Sequence, residues 1–266
     1  MAEGNTEAAG ERIAKRLARA GVASRREAER MIAEGRVRVN GRRLETPAVV
    51  VTAADRIEVD GAALPEIAAP RLWRYHKPAG LVTTAKDEKG RPTVFERLPQ
   101  GMPRVVSVGR LDLASEGLLL LTNDGALKRR LELPSTGWLR KYRVRAHGAA
   151  EEAGLERLRR GIEIEGERFR PMSAALDRVQ GSNVWLTIGL REGRNREIRR
   201  ALEAIGLSVN RLIRVSYGPF RLGELEPGAV EEVKGRVLAD QLGLKRPQVE
   251  RPRTRRRGRD TGEAGA

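Results

Sequence analysis

Asp112 is the residue of this chain whose surroundings most suggest chemistry. It stands in the stretch Gly109-Arg110-Leu111-Asp112-Leu113-Ala114-Ser115-Glu116-Gly117, which sets a carboxylate beside a guanidinium between two glycines, at the mouth of the apolar run Leu118 to Leu121. A side chain on a loop anchored to a core strand is held on a rigid scaffold, as a reactive group must be. Such a carboxylate can serve as nucleophile or as base. It can equally cap a turn or pair with Arg110 and do no chemistry at all. A hydrolase acting on glycosidic bonds would need a second carboxyl group as acid, for which Glu116 is the nearest candidate. A Ser/His triad or a His-based zinc site has almost nothing to build on, because the chain holds only His76 and His147 and no cysteine.

The elements that must position Asp112 can be read from pattern. Four consecutive leucines are too short a run for an amphipathic helix and end at Asn123-Asp124-Gly125, which predicts a fully buried central strand closed by a turn, entered through the loop 109–117. A short helix is expected over Ala126 to Leu133, stopped by Pro134. In Arg140-Lys141-Tyr142-Arg143-Val144-Arg145-Ala146 the alternation puts Tyr142, Val144 and Ala146 on one strand face and Lys141, Arg143 and Arg145 on the other, toward solvent or a polyanion. A charged helix from Glu151 to Arg160 is followed by strands near 162–164, 174–179 and 184–188. Asn195 is expected to cap a helix with the stripe Ile198, Leu202 and Ile205, ended by Gly206 and followed by a strand through Leu212, Ile213 and Val215. Upstream, Lys77-Pro78-Ala79-Gly80 reads as a turn, with no catalytic role assigned to His76 or Lys77.

The N-terminal part has its own character. Ile13, Leu17 and Ala20 share one helical face, Gly21 ends that helix, and Ser24 caps a second one from Arg25 to Glu34 with Ala28, Met31 and Ile32 inward. Val37 to Val39, Val49 to Val51 and Ile57 to Val59, with Asn40-Gly41 between the first two, predict a small sheet. From Arg12 to Arg43 there are eleven Lys/Arg against three Asp/Glu. Across 266 residues the formal charge is +16 and the pI about 11.1, which points to a polyanionic partner, nucleic acid before membrane. No apolar run approaches the ~20 residues of a membrane span, and the first residues lack the apolar region of a secretory signal, so a cytoplasmic protein is expected. Residues 1–10 are small and polar, and 244–266 carry eight Lys/Arg against three acids; both ends are expected to be disordered, the second adding sequence-independent affinity. This gives an α+β chain: a module over 11–60, a small-residue linker 61–70, a main domain 71–243, and the tail.

Two resemblances sharpen this. The string GRLDLASEGLLLLTND resembles the signature of the RsuA-type family of ribosomal RNA pseudouridine synthases, in which the aspartate after Gly-Arg-Leu is the nucleophile. Lys141-Tyr142-Arg143-Val144 and EGRNREIRR at 192–200 are similar to that family's second and third motifs. The resemblance implies that Tyr142 stacks on the target base, that Arg199 pairs with Asp112, that Arg110 fills the place the base leaves, and that Leu212 packs under the base. Glu197 stands where the family usually has glutamine. LARAGVASRREAERMIAEGRVRVNG resembles the alpha-L RNA-binding module. That likeness implies RNA contacts from Ser24, Arg25 and Arg26 at the helix start, where free amides and guanidinium groups suit phosphate, and from Arg30, Arg36, Arg38, Arg42 and Arg43 beyond it. The fold implied for the main domain is a mixed, mainly antiparallel sheet with peripheral helices. The partner implied is ribosomal RNA, 23S first and 16S second, free or in a pre-ribosomal particle, and bound by a monomer. The reaction is an isomerisation, for which no cofactor is expected. A non-catalytic RNA-binding assembly protein is the competing expectation.

Overall fold

The structure, a computed structural model, describes residues 10–242. The two ends expected to be disordered, apart from Gly10, lie outside the described residues. The chain begins with β1 (Glu11–Arg12), α1 (Ile13–Arg19), α2 (Arg25–Ala33), β2 (Val37–Val39), β3 (Arg42–Arg43), β4 (Val50–Val51), β5 (Ile57–Val59) and β6 (Ala62–Ala63). Ser24 caps α2 reciprocally: its hydroxyl accepts the Glu27 N–H at 3.1 Å, and its own N–H donates to the Glu27 carboxylate at 3.3 Å. Asn40 and Gly41 both take positive φ, 52° and 78°, the mirror-image turn that lets β2 and β3 pair without splaying. Ile13, Leu17, Ala28, Ile32, Val37 and Ile57 form a core of their own.

Two expectations for this module are corrected. Val50 and Val51 do not join the small sheet but pair with Glu11 and Arg12 in a separate ribbon, so that the four-stranded sheet runs β3-β2-β5-β6. Its last strand, Ala62–Ala63, lies inside the stretch expected to be linker. Two alanines give no β-branched signal, and they form a strand because β5 offers them an open edge.

The main sheet is assembled from β7 (Leu72–Lys77), β8 (Val106–Val108), β9 (Ser115–Thr122), then α3 (Gly125–Glu132), β10 (Arg140–His147) and α4 (Glu152–Arg160). There follow the hairpin β11 (Ile162–Ile164) and β12 (Glu167–Phe169), strands β13 (Ser173–Gln180) and β14 (Asn183–Leu190), helix α5 (Glu197–Glu203), and strands β15 (Ser208–Tyr217), β16 (Phe220–Arg221) and β17 (Val230–Glu232). The order across the sheet is β13-β14-β10-β15-β9-β7-β17, with β8 added beside β9 and β16 beside β15. Every pairing is antiparallel except β15 with β9. This is the mixed, mainly antiparallel α+β core that the sequence implies. Leu118 to Leu121 are fully buried in β9, the central strand expected there. The strand starts at Ser115, earlier than the expected loop end, because Ser115, Glu116 and Gly117 pair with Leu212, Ile213 and Arg214. At Gly117, with φ +98°, a Cβ would come within 2.3 Å of the Arg214 carbonyl oxygen, so only glycine permits this strand contact.

A second compact unit begins at Lys234 and contains α6 (Gly235–Leu242). Among the described residues no helix is long and apolar enough to cross a membrane.

Candidate active site

The single parallel pairing builds the site. It lays the beginning of β9 alongside Leu212 of β15, and β15 in turn pairs with β10 so that Leu212 faces Val144 and Arg214 faces Tyr142. The segment just before β9, which carries Asp112, is thereby brought to the same end of the sheet as Tyr142 and Leu212. All three line one cleft of about 900 Å³, together with Arg110, Arg140 and Arg214. Tyr142 and Leu212 are buried, Asp112 is half-buried and Arg110 is exposed at the rim.

The backbone from Leu111 to Ser115 is clamped at each carbonyl. Thr83 Oγ1 donates to the Leu111 carbonyl at 2.8 Å and accepts the Leu111 N–H at 3.3 Å. Lys77 Nζ donates to the carbonyls of Asp112 at 3.1 Å and Ser115 at 2.8 Å, and also to Pro78 at 3.0 Å. The Gly80 N–H donates to Leu113 O at 2.8 Å, and Arg199 to Ala114 O at 3.2 Å. The Glu132 carboxylate accepts the Gly109 N–H at 2.6 Å, fixing the entrance. Against this rigid backbone, the Asp112 carboxylate has no side-chain hydrogen bond or ion pair among the described residues. Such an arrangement fixes where a carboxylate sits and leaves its oxygens for a ligand.

Arg199 departs from its expected place. It is not within 4.0 Å of the Asp112 carboxylate; its guanidinium bridges the carbonyls of Val209, at 3.0 Å, and Ala114. Burial and the neighbouring Arg196 lower its pKa, while the Asp112 charge raises it, so the two groups act on each other through space and through the loop backbone. Asn195 does not cap α5: the cap position is Arg196, in the left-handed region at φ 49° and without a side-chain cap. The Glu197 carboxylate reaches back to the loop before the helix and accepts the Arg194 N–H at 2.9 Å. Glu197 is buried, its second oxygen has no hydrogen-bond partner, and burial together with the nearby Glu192 carboxylate pushes its pKa up to about 7.

Three residues in or behind the cleft were not singled out by their sequence. Lys77 is fully buried, and its desolvation lowers its pKa to about 8 against the opposing pull of the Asp112 and Glu116 carboxylates. Alternation along β7 held the clue, since Lys77 shares its face with Trp73 and Tyr75. Arg214 is buried with its guanidinium 5.3 Å from the Tyr217 ring centroid; its Nε donates to Leu118 O at 2.7 Å and one terminal nitrogen has no partner. It shares the inward face of β15 with Leu212. Arg140 donates to Tyr217 Oη and to Glu192 O, both at 3.0 Å. Glu116, the candidate second acid, is held by two hydrogen bonds from Arg211, which lower its pKa and keep it charged, and it does not line the cleft. A proton-donating role for it in hydrolysis is therefore unsupported.

In the N-terminal module, Arg25, Arg26, Arg30, Arg38 and Arg42 are exposed and make no ion pair among the described residues, and the exposed Arg43 lies over Gly35. Two expected RNA contacts are already engaged elsewhere. Arg36 makes a two-point contact with Asp60 at 2.8 and 2.7 Å, and the hydroxyl of Ser24 is used in its capping box. Sequence spacing did not reveal the first of these because Asp60 comes alongside only when β5 pairs with β2.

Comparison with known proteins agrees with this geometry. Residues 71–204 match the family described as RNA pseudouridylate synthase, and residues 11–57 match the S4 domain. An uncharacterized RNA pseudouridine synthase of Rickettsia felis is 48% identical over 228 residues, covering 86% of this chain and 99% of the relative. The ribosomal large subunit pseudouridine synthase B of Yersinia pestis is 43% identical over 219 residues, 80% of this chain and 69% of that protein. A solved pseudouridylate synthase structure superposes with a TM-score of 0.60 at 28% identity, over 86% of this chain and 99% of that one.

Proposed function

The chain belongs to the RNA pseudouridylate synthase family and is an RNA pseudouridine synthase, and from that premise we propose that it converts one uridine of large-subunit (23S) ribosomal RNA, with Asp112 as the reacting carboxylate. The observation that carries the assignment is the clamp: each carbonyl from Leu111 to Ser115 is held by a neighbour, while the Asp112 carboxylate has no side-chain partner among the described residues and opens on the cleft. The name of the Yersinia relative, ribosomal large subunit pseudouridine synthase B, supports the choice of RNA.

The reaction breaks the bond between the ribose C1′ and uracil N1, turns the base, and joins C1′ to C5; the hydrogen leaving C5 is balanced by a proton gained at N1. No electrons are exchanged and no water is consumed. Asp112 acts on the sugar, as a nucleophile at C1′ or as a base at C2′. The target carbon is inaccessible in a stacked helix, so the nucleotide is extruded into the cleft, with its base against Tyr142 and Leu212 and with Arg110 at the rim taking the vacated place. Arg199 and Lys77 place positive charge beside the loop that carries Asp112 while their N–H groups hold its backbone. The exposed arginines of the N-terminal module contact phosphate. Because RNA of this kind is found in the cytoplasm, the protein works there, as a monomer. Chemical mapping of pseudouridine over both ribosomal RNAs, from cells with and without the protein, tests the reading. Loss of one modified position in the large-subunit RNA is expected; an unchanged map, or a loss confined to 16S RNA, overturns the substrate.

A further inference from the structure

The face of the main sheet turned away from Asp112 carries a second group of cations. Along β10 the residues alternating with Tyr142 and Val144 are Lys141, Arg143 and Arg145, and the pairing of β10 with β14 sets Arg145 opposite Trp185 and Arg143 opposite Thr187. On the next strand Arg178 also stands opposite Trp185, placed there by the bulge between Leu176 and Arg178. Trp185 is thus flanked from both sides. The guanidinium carbon of Arg143 lies 5.1 Å from its ring centroid and that of Arg178 lies 5.5 Å away.

Several arginines elsewhere in the molecule are paired with acids. Arg36, Arg71, Arg74, Arg91, Arg159, Arg194, Arg200 and Arg211 all meet a carboxylate within 4.0 Å. Among the described residues, Arg143, Arg145 and Arg178 meet none, and neither Arg143 nor Arg178 makes a side-chain hydrogen bond. The carboxylates on this face are engaged already: Asp177 accepts the Thr187 hydroxyl at 2.9 Å, and Glu116 is taken by Arg211. An arginine laid against an aromatic ring keeps its charge and its in-plane N–H donors while losing rotameric freedom, so it is organised for an anion that has yet to arrive. The row Arg178, Trp185, Arg145 crosses two strand spacings, about 10 Å, and starts at β13, the free edge of the sheet.

We propose that this face is a second RNA-contacting surface: the Arg143–Trp185–Arg178 stack and Arg145 bind the phosphodiester backbone of RNA flanking the modified uridine, where it passes round the β13 edge from the cleft face. A backbone ligand fits because the donors are guanidinium groups arranged along a line, with two of them laid against the Trp185 ring. The inference rests on the reading of the substrate as ribosomal RNA, and its test separates the two.

The test uses the full-length protein and an unmodified 23S rRNA transcript as probe, with the dissociation constant measured as a function of salt and pseudouridine formation followed in parallel. Removing two phosphate contacts in the R143A/R178A variant should weaken binding about tenfold and make the slope of log affinity against log salt shallower by about 1.4 to 1.8. The charge-keeping variant R143K/R178K should retain most of the slope. Wild-type affinity and slope in R143A/R178A overturn the proposal. Equal losses in the alanine and lysine variants also overturn it, since the effect would then come from the Trp185 stack and not from charge. If wild-type protein binds the transcript but forms no pseudouridine in it, the substrate reading fails, while the comparison of slopes still decides whether this face binds RNA.

Discussion

The N-terminal module and the main sheet both rely on cations, but they use them in opposite ways. In the module, Arg25, Arg26, Arg30, Arg38 and Arg42 stand in solvent without a protein partner among the described residues. In the sheet, Lys77 and Arg214 are buried, Arg199 is half-buried, and all three donate to backbone carbonyls. An exposed guanidinium is screened by salt and contributes affinity for any phosphate in reach. A buried cation must be hydrogen-bonded in one geometry or it destabilises the fold, so it specifies structure. On the proposed reading, the module's charges govern how firmly RNA is held, and the sheet's charges govern where Asp112 stands when it arrives.

The largest expected effect is at Asp112 itself. Asp112→Asn keeps size and shape but removes the charge, and should leave no detectable pseudouridine while RNA affinity stays within about tenfold, or ~1.4 kcal/mol, of wild type. Turnover near the wild-type rate in this variant would remove Asp112 from the mechanism.

Lys77→Met should come next. It removes the ammonium donor shared by the Asp112 and Ser115 carbonyls, so kcat should fall about a hundredfold, ~2.7 kcal/mol, with little change in KM. The pH dependence carries a sign that can be checked. The folded-state pKa of Lys77, about 8, lies below the 10.5 of a free lysine, so its destabilising contribution is full below pH 8 and shrinks as pH rises to 10.5. Activity should move the other way, falling above pH 8 as the ammonium loses a donor, in a range where this group does not weaken folding. A rate that stays flat from pH 7 to pH 9.5 would show that the clamp does not depend on the charge.

Arg199→Lys should cost about tenfold in kcat, because an ammonium cannot bridge Ala114 O and Val209 O as the planar guanidinium does. Arg168→Lys, at an exposed position of β12, is the control, and equal effects at the two positions would show that Arg199 has no special place. In the module, the triple variant R25A/R26A/R30A should raise KM about tenfold and make the salt slope shallower by roughly 2 to 3, with the loss absent from kcat. A fall in kcat instead would erase the contrast between the two regions. The smallest effect is on stability. The pKa of Glu197 is raised from 4.5 to about 7, so its ionisation disfavours folding increasingly from pH 4.5 to 7 and fully above that. Glu197→Gln should match wild type in urea unfolding at pH 4 and exceed it at pH 8 by at least ~1 kcal/mol.

Much of this was determined by local sequence. A strand of four leucines, a turn at Asn40-Gly41, a Ser24 cap with Glu27 three residues on, and the alternation around Tyr142 depend on backbone geometry and on which side chains tolerate water, so they are legible within windows of a few residues. The position of Asp112 and its surroundings was legible for the same reason. What tertiary structure alone decided is the partnership of charges. Lys77 reaches Asp112 and Ser115 across 35 and 38 residues, Arg199 reaches Ala114 across 85, and Arg214 reaches Leu118 across 96. Asp60 captures Arg36 across 24, and Arg196, in the left-handed region, takes the cap position expected of Asn195. The sequence supplies each cation, but strand order and register decide whether it meets a carbonyl, a carboxylate or water, because hydrogen bonds and ion pairs act over a few ångströms in space and carry no signature along the chain.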